Sequence, residues 1–211
     1  MTTATRTRAG AVAWIVGAAQ FFLIHLIVQL SWKNPSYSWS RNNVSDLGNL
    51  RCGPWGDNKR YVCSPLHNLM NVGIALEGLL LLTGLIVIGS LWERRLAQGL
   101  LCVAAGAWIM VGFVPADSNE NLHVLGALLV TVFGNLGLIL HGWRHQRRPD
   151  RVLALCLGLA GLLATFLFFA QIYLGLGMGG MERFAVFGMQ AWTFVTGCLL
   201  LRTGSRVQSR A

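Results

Sequence analysis

The run Ala11-Val12-Ala13-Trp14-Ile15-Val16-Gly17-Ala18-Ala19-Gln20-Phe21-Phe22-Leu23-Ile24-His25-Leu26-Ile27-Val28-Gln29-Leu30 decides the fold class. It holds no Asp, Glu, Lys or Arg. As a helix rising about 1.5 Å per residue, it is long enough to cross a hydrocarbon core of roughly 30 Å. A cleaved signal peptide would have a shorter apolar core and end at small residues. This run passes into Ser31-Trp32-Lys33 instead, so a retained membrane helix is expected.

Five more apolar runs follow, and the expected helices are 11–31, 65–92, 97–115, 122–143, 152–174 and 184–201. None alternates in character with a period of two, as the strands of a membrane barrel would. Helices satisfy every backbone polar group within the segment, which the bilayer interior demands. The composition agrees: 54% of the 211 residues are hydrophobic, 12% are charged, and the mean hydropathy is +0.54. A soluble domain carries about a quarter charged residues. The expectation is an all-α integral membrane protein, one six-helix domain over 1–211.

Basic residues set the expected orientation. With both termini cytoplasmic, 11 of the 17 Lys and Arg fall inside, Arg94, Arg95, Arg144, Arg147, Arg148 and Arg151 among them. That bias follows the positive-inside rule, in the multi-pass cell-membrane topology expected here. The formal charge of +9 is then mostly inner-face arginine meeting anionic lipid. No basic-aromatic module points to nucleic acid.

Polar residues gather at the expected outer face. The one long loop, about Ser31 to Ser64, carries Trp32, Tyr37, Trp39, Trp55 and Tyr61, which suit a membrane interface. Its two cysteines, Cys52 and Cys63, are expected to form a disulfide; zinc ligation is the rival reading. His25 and Gln29 share a face of helix one, as His67 and Asn71 share a face of helix two, because residues four apart on a helix do so. Asp117 or Ser118 is expected to cap helix four. The run 175–180 spells GxGxxG, but no strand precedes it, so it reads as a flexible outer turn, with Glu182-Arg183 as a local ion pair or Glu182 favouring the helix start. His141 and His145 read as part of a solvated basic loop. Asn43-Val44-Ser45 matches a glycosylation sequon that is common by chance. Glu77 lies about 18 Å below Pro65 at helical rise, near mid-membrane. An acid there should face the bundle interior, with Thr131 or Asn135 as the expected partner and His25 as the second choice.

The stretches Ser40-Arg41-Asn42-Asn43-Val44-Ser45-Asp46-Leu47-Gly48 and Ser64-Pro65-Leu66-His67-Asn68-Leu69-Met70-Asn71 carry a resemblance, together with Pro115-Ala116-Asp117…His123 and Gly180-Met181-Glu182-Arg183. They resemble the bacterial and archaeal membrane family catalogued as domain of unknown function 998. Val44-Ser45-Asp46-Leu47-Gly48 also resembles an element of the wider DRAM/FRAG-like superfamily of six-helix proteins. The resemblance implies six helices and a site near the outer face. It supplies no activity. Some wider relatives are tied to lipid remodelling or distribution, which makes lipid the implied ligand class by analogy.

Two functions remain open at this point. In the first, Asp46, His67, Asp117, His123 and Glu182 bind or handle a lipid-like molecule without chemistry, pairing with one another and bracing the loop. Asn42, Ser45, Asn71, Glu77 and His25 are the further ligand-binding candidates. In the second, the same five residues form an enzyme site acting on a lipid-like substrate at the outer leaflet. His67 or His123, oriented by Asp46 or Asp117, would be the base, or these four would ligate a divalent metal. Ser45 is a conceivable nucleophile without an acyl-transfer motif around it, and no HExxH or nucleophile elbow occurs.

Overall fold

The computed structural model describes residues 2–89, 95–144 and 148–208. Six helices in it are long and apolar enough to cross a membrane. They are α1 (Thr3–Ser31), α2 (His67–Val87), α3 (Arg95–Phe113), α4 over residues 120–144, α5 (Arg148–Phe169) and α6 (Gly177–Gln208). The expected turn at Glu93-Arg94 lies outside the described residues, as does His145.

Local chemistry sets the helix ends. The Thr2 hydroxyl accepts the Thr5 amide at 3.3 Å and opens α1 well before the apolar run begins. Asn119, not Asp117 or Ser118, caps α4: its side chain accepts the Leu122 amide at 3.1 Å. The two expected caps are engaged elsewhere, the Ser118 hydroxyl on the Pro115 carbonyl at 2.7 Å and Asp117 on the long loop. α6 starts at Gly177, so most of the expected flexible turn is the first helical turn.

Each helix packs on its neighbours in sequence, and α1 also packs on α6, which closes a ring. Small residues bring α2 and α3 together. A Cβ on Gly78 would stand 2.6 Å from the Ala105 carbonyl oxygen, and one on Gly112 would stand 2.7 Å from that of Asn71. Inside, Trp14 packs on Trp192 at 5.2 Å between ring centroids and Phe21 on Trp108 at 5.3 Å. Lipid tails are as apolar as these side chains, so van der Waals packing and buried hydrogen bonds hold such helices together where water release does not. Leu23, Val72, Ile86, Phe113, Leu163 and Phe166 point outward, an apolar exterior that suits lipid. The chain is a multi-pass membrane protein.

α4 is irregular. Glu120–Leu128 and Gly134–Arg144 are α-helical, and Leu129–Phe133 between them forms a π turn. Such turns widen the backbone ladder by one residue. Asn135, one turn on, donates to the Thr131 carbonyl at 2.7 Å and across to the Ala185 carbonyl of α6 at 2.9 Å.

The loop between α1 and α2 is folded. A 3-10 turn spans Ser45–Gly48, and a hairpin pairs β1 (Gly53–Trp55) with β2 (Arg60–Val62) in antiparallel register, Gly53 opposite Val62. The Cys52–Cys63 disulfide closes the hairpin where that register ends, with 4.2 Å between Cα atoms.

Candidate functional site

Asp46 is the hub of the loop. It is buried, and its Oδ2 accepts the Asn43 amide at 2.9 Å, the Asn42 side chain at 3.3 Å and Arg60 Nε at 2.8 Å, while Oδ1 accepts Arg60 Nη2 at 2.5 Å. A two-point guanidinium–carboxylate pair of this kind is strong and directional. It ties the 3-10 turn to the hairpin, so the disulfide and the ion pair brace the same unit.

Two residues at the head of α6 hold that unit down. Glu182 accepts the Val44 amide, and the Ser45 backbone lies beside the same carboxyl. Arg183 is buried and donates to the carbonyls of Trp39 at 2.9 Å, Asn42 at 3.1 Å and its own helix's Gly179 at 2.6 Å, and to the Tyr37 hydroxyl. Its guanidinium carbon sits 4.6 Å from the Trp39 ring centroid, a cation–π distance. The expected Glu182–Arg183 pair is therefore replaced by two separate grips on the loop, because each side chain finds backbone groups that need it. Gly179 makes room: its amide donates to the Ser40 carbonyl at 3.0 Å, and a Cβ there would stand 2.6 Å from the Trp39 carbonyl oxygen. Burial raises the Tyr37 phenol above its ordinary range; its hydroxyl donates to the Asn43 carbonyl at 3.0 Å.

The remaining candidates at the loop end of the bundle also meet backbone. Asp117 accepts the amides of Leu50 at 3.0 Å and Arg51 at 2.8 Å. Asn71 donates to the Gly48 carbonyl at 2.9 Å. His67 Nδ1 lies 3.0 Å from the Ser64 carbonyl, and His123 Nδ1 lies 2.7 Å from the Val114 carbonyl. A carbonyl only accepts, so both imidazoles carry a proton on Nδ1. Both Asp117 and Asp46 lie within electrostatic reach of His123. Among the described residues no three His, Cys, Asp or Glu side chains cluster as a metal ion would require.

Three expectations deeper in the bundle are corrected. Glu77 is fully buried but meets α1, at Gly17 and Gln20, rather than Thr131 or Asn135. α2 packs between α1 and α3, and Asn135 is turned to α6. His25 is buried, and neither ring nitrogen is hydrogen-bonded to any described residue, so it is not Glu77's partner either; its face-mate Gln29 accepts the Trp39 indole at 2.6 Å. His141 is no solvated loop residue.

A sequence model of the family described as "Protein of unknown function (DUF998)" matches residues 15–199. The chain belongs to the DUF998 family. No curated protein and no solved structure matches it. The matched span takes in the whole loop network.

It also takes in a buried cluster that no local sequence pattern announced. At the bundle end away from the loop, His141 Nε2 lies 2.8 Å from Asp150 Oδ2, and Asp150 Oδ1 accepts the Trp192 indole at 3.0 Å and the Thr196 hydroxyl at 2.7 Å. Asp150 stands in the first turn of α5, where the helix dipole favours an acid. The available signal was a lone Asp just after Pro149, with Trp192 and Thr196 four apart on one face of α6.

Proposed function

We propose that this protein binds a lipid or lipid-like molecule from the outer half of the bilayer and does not transform it. The observation that carries this reading is an apolar groove between α4 and α5. Leu128, Val132, Leu162, Thr165, Phe166, Phe169 and Ala170 line about 640 Å³, within the usual range for small-molecule sites. The Thr165 hydroxyl is turned onto the Gly161 carbonyl at 2.8 Å, which leaves the wall apolar. The groove runs from the π turn toward the loop end, which the arginine bias orients outward. The loop supports a binding role. Asp46, Asp117 and Glu182 accept its amides, so the acids that a reaction would use already brace a cap over the bundle.

The test is photo-crosslinking in nanodiscs with a phospholipid carrying a diazirine in one acyl chain. Labelling should concentrate in peptides containing 128–132 and 162–170 and fall several-fold in Ala170→Trp, which fills the groove. Labelling spread evenly over all six helices, and unchanged in the variant, would remove the proposal.

One observation favours a catalytic reading as the second choice. With Nδ1 donating to the Val114 carbonyl, a neutral His123 keeps a lone pair on Nε2, the state required of a base or metal ligand, and Asp117 and Asp46 lie within electrostatic reach of the residue. Turnover of an outer-leaflet lipid by the purified protein, abolished in a folded His123→Gln variant, would establish it.

A further inference from the structure

His25 of α1 lies directly under the loop. It is buried, and neither ring nitrogen is hydrogen-bonded to any described residue. Four rings enclose it. Two are carried on helices: Phe21, one turn away on α1, at 6.2 Å between ring centroids, and Phe187 of α6 at 5.7 Å. The other two come from the first part of the loop, a strap over residues 37–42. Tyr37 stands 6.4 Å and Trp39 5.8 Å from the imidazole, each nearly perpendicular to it, at 84° and 76°. Gln29, one turn further along α1, accepts the Trp39 indole and so holds that ring over His25.

The same two strap rings carry Arg183. Its guanidinium carbon lies 5.5 Å from the Tyr37 centroid and 4.6 Å from that of Trp39, and Arg183 is the charged group that acts electrostatically on His25. The strap is thus pressed between a permanent cation and an imidazole, the side chain that changes charge near neutral pH. A neutral imidazole adds a fifth uncharged ring to the packing. An imidazolium would be a second cation on rings that already attract Arg183. It would also bury two N–H donors with no acceptor, and a buried charge without a partner is strongly destabilising. Water can relieve that charge, and the strap is the one part of the enclosure not built into a helix.

We propose that His25 is an acid-sensing latch: when it takes up a proton, the strap 37–42 lifts from α1 and α6 and the cap opens over the loop end of the bundle. The proton binds the hydrated, open form preferentially, so it shifts the equilibrium toward that form. The closed cap is complete above the ordinary imidazole value of about 6.5 and gives way as the pH falls below it. The rest of the loop stays folded, since the Cys52–Cys63 disulfide and the Arg60–Asp46 pair lie beyond the strap. Other charged and titratable groups stand on the elements packed against this part of α1. They are Lys33, Tyr37, Arg41, Asp46 and Arg60 of the loop, Glu182 and Arg183 of α6, and His67 and Glu77 of α2. Asp46 and Glu182 also grip the loop, so acid acts on them too, and the test must separate their share from that of His25.

Hydrogen exchange of the full chain in phosphatidylcholine nanodiscs tests this, read as protection factors, which divide out the intrinsic pH dependence of exchange. The reporters are peptides covering 37–44 and the Gly179 amide, which donates to the Ser40 carbonyl across the seam. An imidazole hydrated only in the open form makes the open population rise about thirty-fold from pH 8 to pH 5. Wild-type protection at these reporters should fall by that factor, while peptides covering 48–53 change little. His25→Phe keeps a ring in the enclosure and binds no proton, so it should remove most of the fall and leave only the share of Asp46 and Glu182. His25→Gln serves if the phenylalanine variant does not fold. An equal fall in wild type and variant would overturn the proposal. If neither variant folds, the wild type decides alone: protection at 37–44 that keeps a constant ratio to protection at 48–53 between the two pH values would overturn it. Lipid crosslinking at the α4–α5 groove is independent of these outcomes.

Discussion

Arg183→Met should release the loop from the bundle without unfolding the loop itself. The wild-type guanidinium donates to two loop carbonyls, Trp39 and Asn42, and to the Tyr37 hydroxyl, and it lies over the Trp39 ring. A hydrogen bond to a charged group contributes about 1.5–3 kcal/mol net. The freed carbonyls rehydrate at the membrane surface, so simple addition overstates the loss. Two such bonds at the lower bound give about 3 kcal/mol for the loop-to-α6 attachment, roughly a hundredfold rise in the open population. The other braces stay in place: the disulfide, the Arg60–Asp46 pair, the Glu182 contact to the Val44 amide and the Asp117 contacts to Leu50 and Arg51. Hydrogen exchange in nanodiscs reads this out by segment. Peptides covering 39–46 should exchange about a hundredfold faster, while those covering 48–53 keep their protection. Arg183→Lys keeps the charge but lacks the planar fork, so it should fall between the two. Unchanged protection at 39–46, or equal loosening of both segments, would refute the assignment of Arg183 as the clasp.

Three other outcomes are expected. Replacing Cys52 and Cys63 with serine removes a cross-link worth up to about 3 kcal/mol in the chain-entropy model, and should speed proteolysis within 53–62 while leaving the helices intact. Asp150→Leu removes the carboxylate that meets His141, the Trp192 indole and the Thr196 hydroxyl and should cost about 3–5 kcal/mol, seen as a lower melting temperature in detergent. Asp150→Asn keeps an acceptor and should cost less. For Tyr37 the folded phenol titrates above its unfolded value, so its contribution is complete below about pH 10 and is lost as the unfolded chain ionises above that. Alkaline titration should therefore destabilise the wild type from that point, and Tyr37→Phe should flatten the decline.

The six spans were legible because a membrane helix writes itself as an uninterrupted apolar run, as in 11–30. The disulfide was legible because its two cysteines share one loop. The polar positions at the loop end were also visible, but their use was not. Asp46, Asp117 and Glu182 look like acids awaiting a substrate until the backbone amides of Asn43, Leu50, Arg51 and Val44 are seen against them. Those contacts join residues as far apart as 44 and 182, a pairing that no local pattern encodes. Glu77 was placed correctly in the bundle interior and wrongly in partner. Helical rise gives depth, but which neighbour a face meets depends on the order of helices around the ring. His141 was misread because the arginines around it suggested solvent, while its partner Asp150 stands in the first turn of the next helix.

The π turn in α4 has a consequence for both of its histidines. His123 and His141 are eighteen residues apart, about five whole turns at 3.6 residues per turn, so a regular helix would aim them in the same direction. Taking up one extra residue at Leu129–Phe133 shifts the phase between the two halves by about 100°. One half then addresses the Val114 carbonyl at the end of α3, and the other addresses Asp150 of α5. Deleting a single residue from 129–133 would restore the regular winding and keep both bearings, since seventeen residues at about 100° each leave the same offset of about 100°; the π turn is how the helix holds one more residue without turning either histidine from its partner.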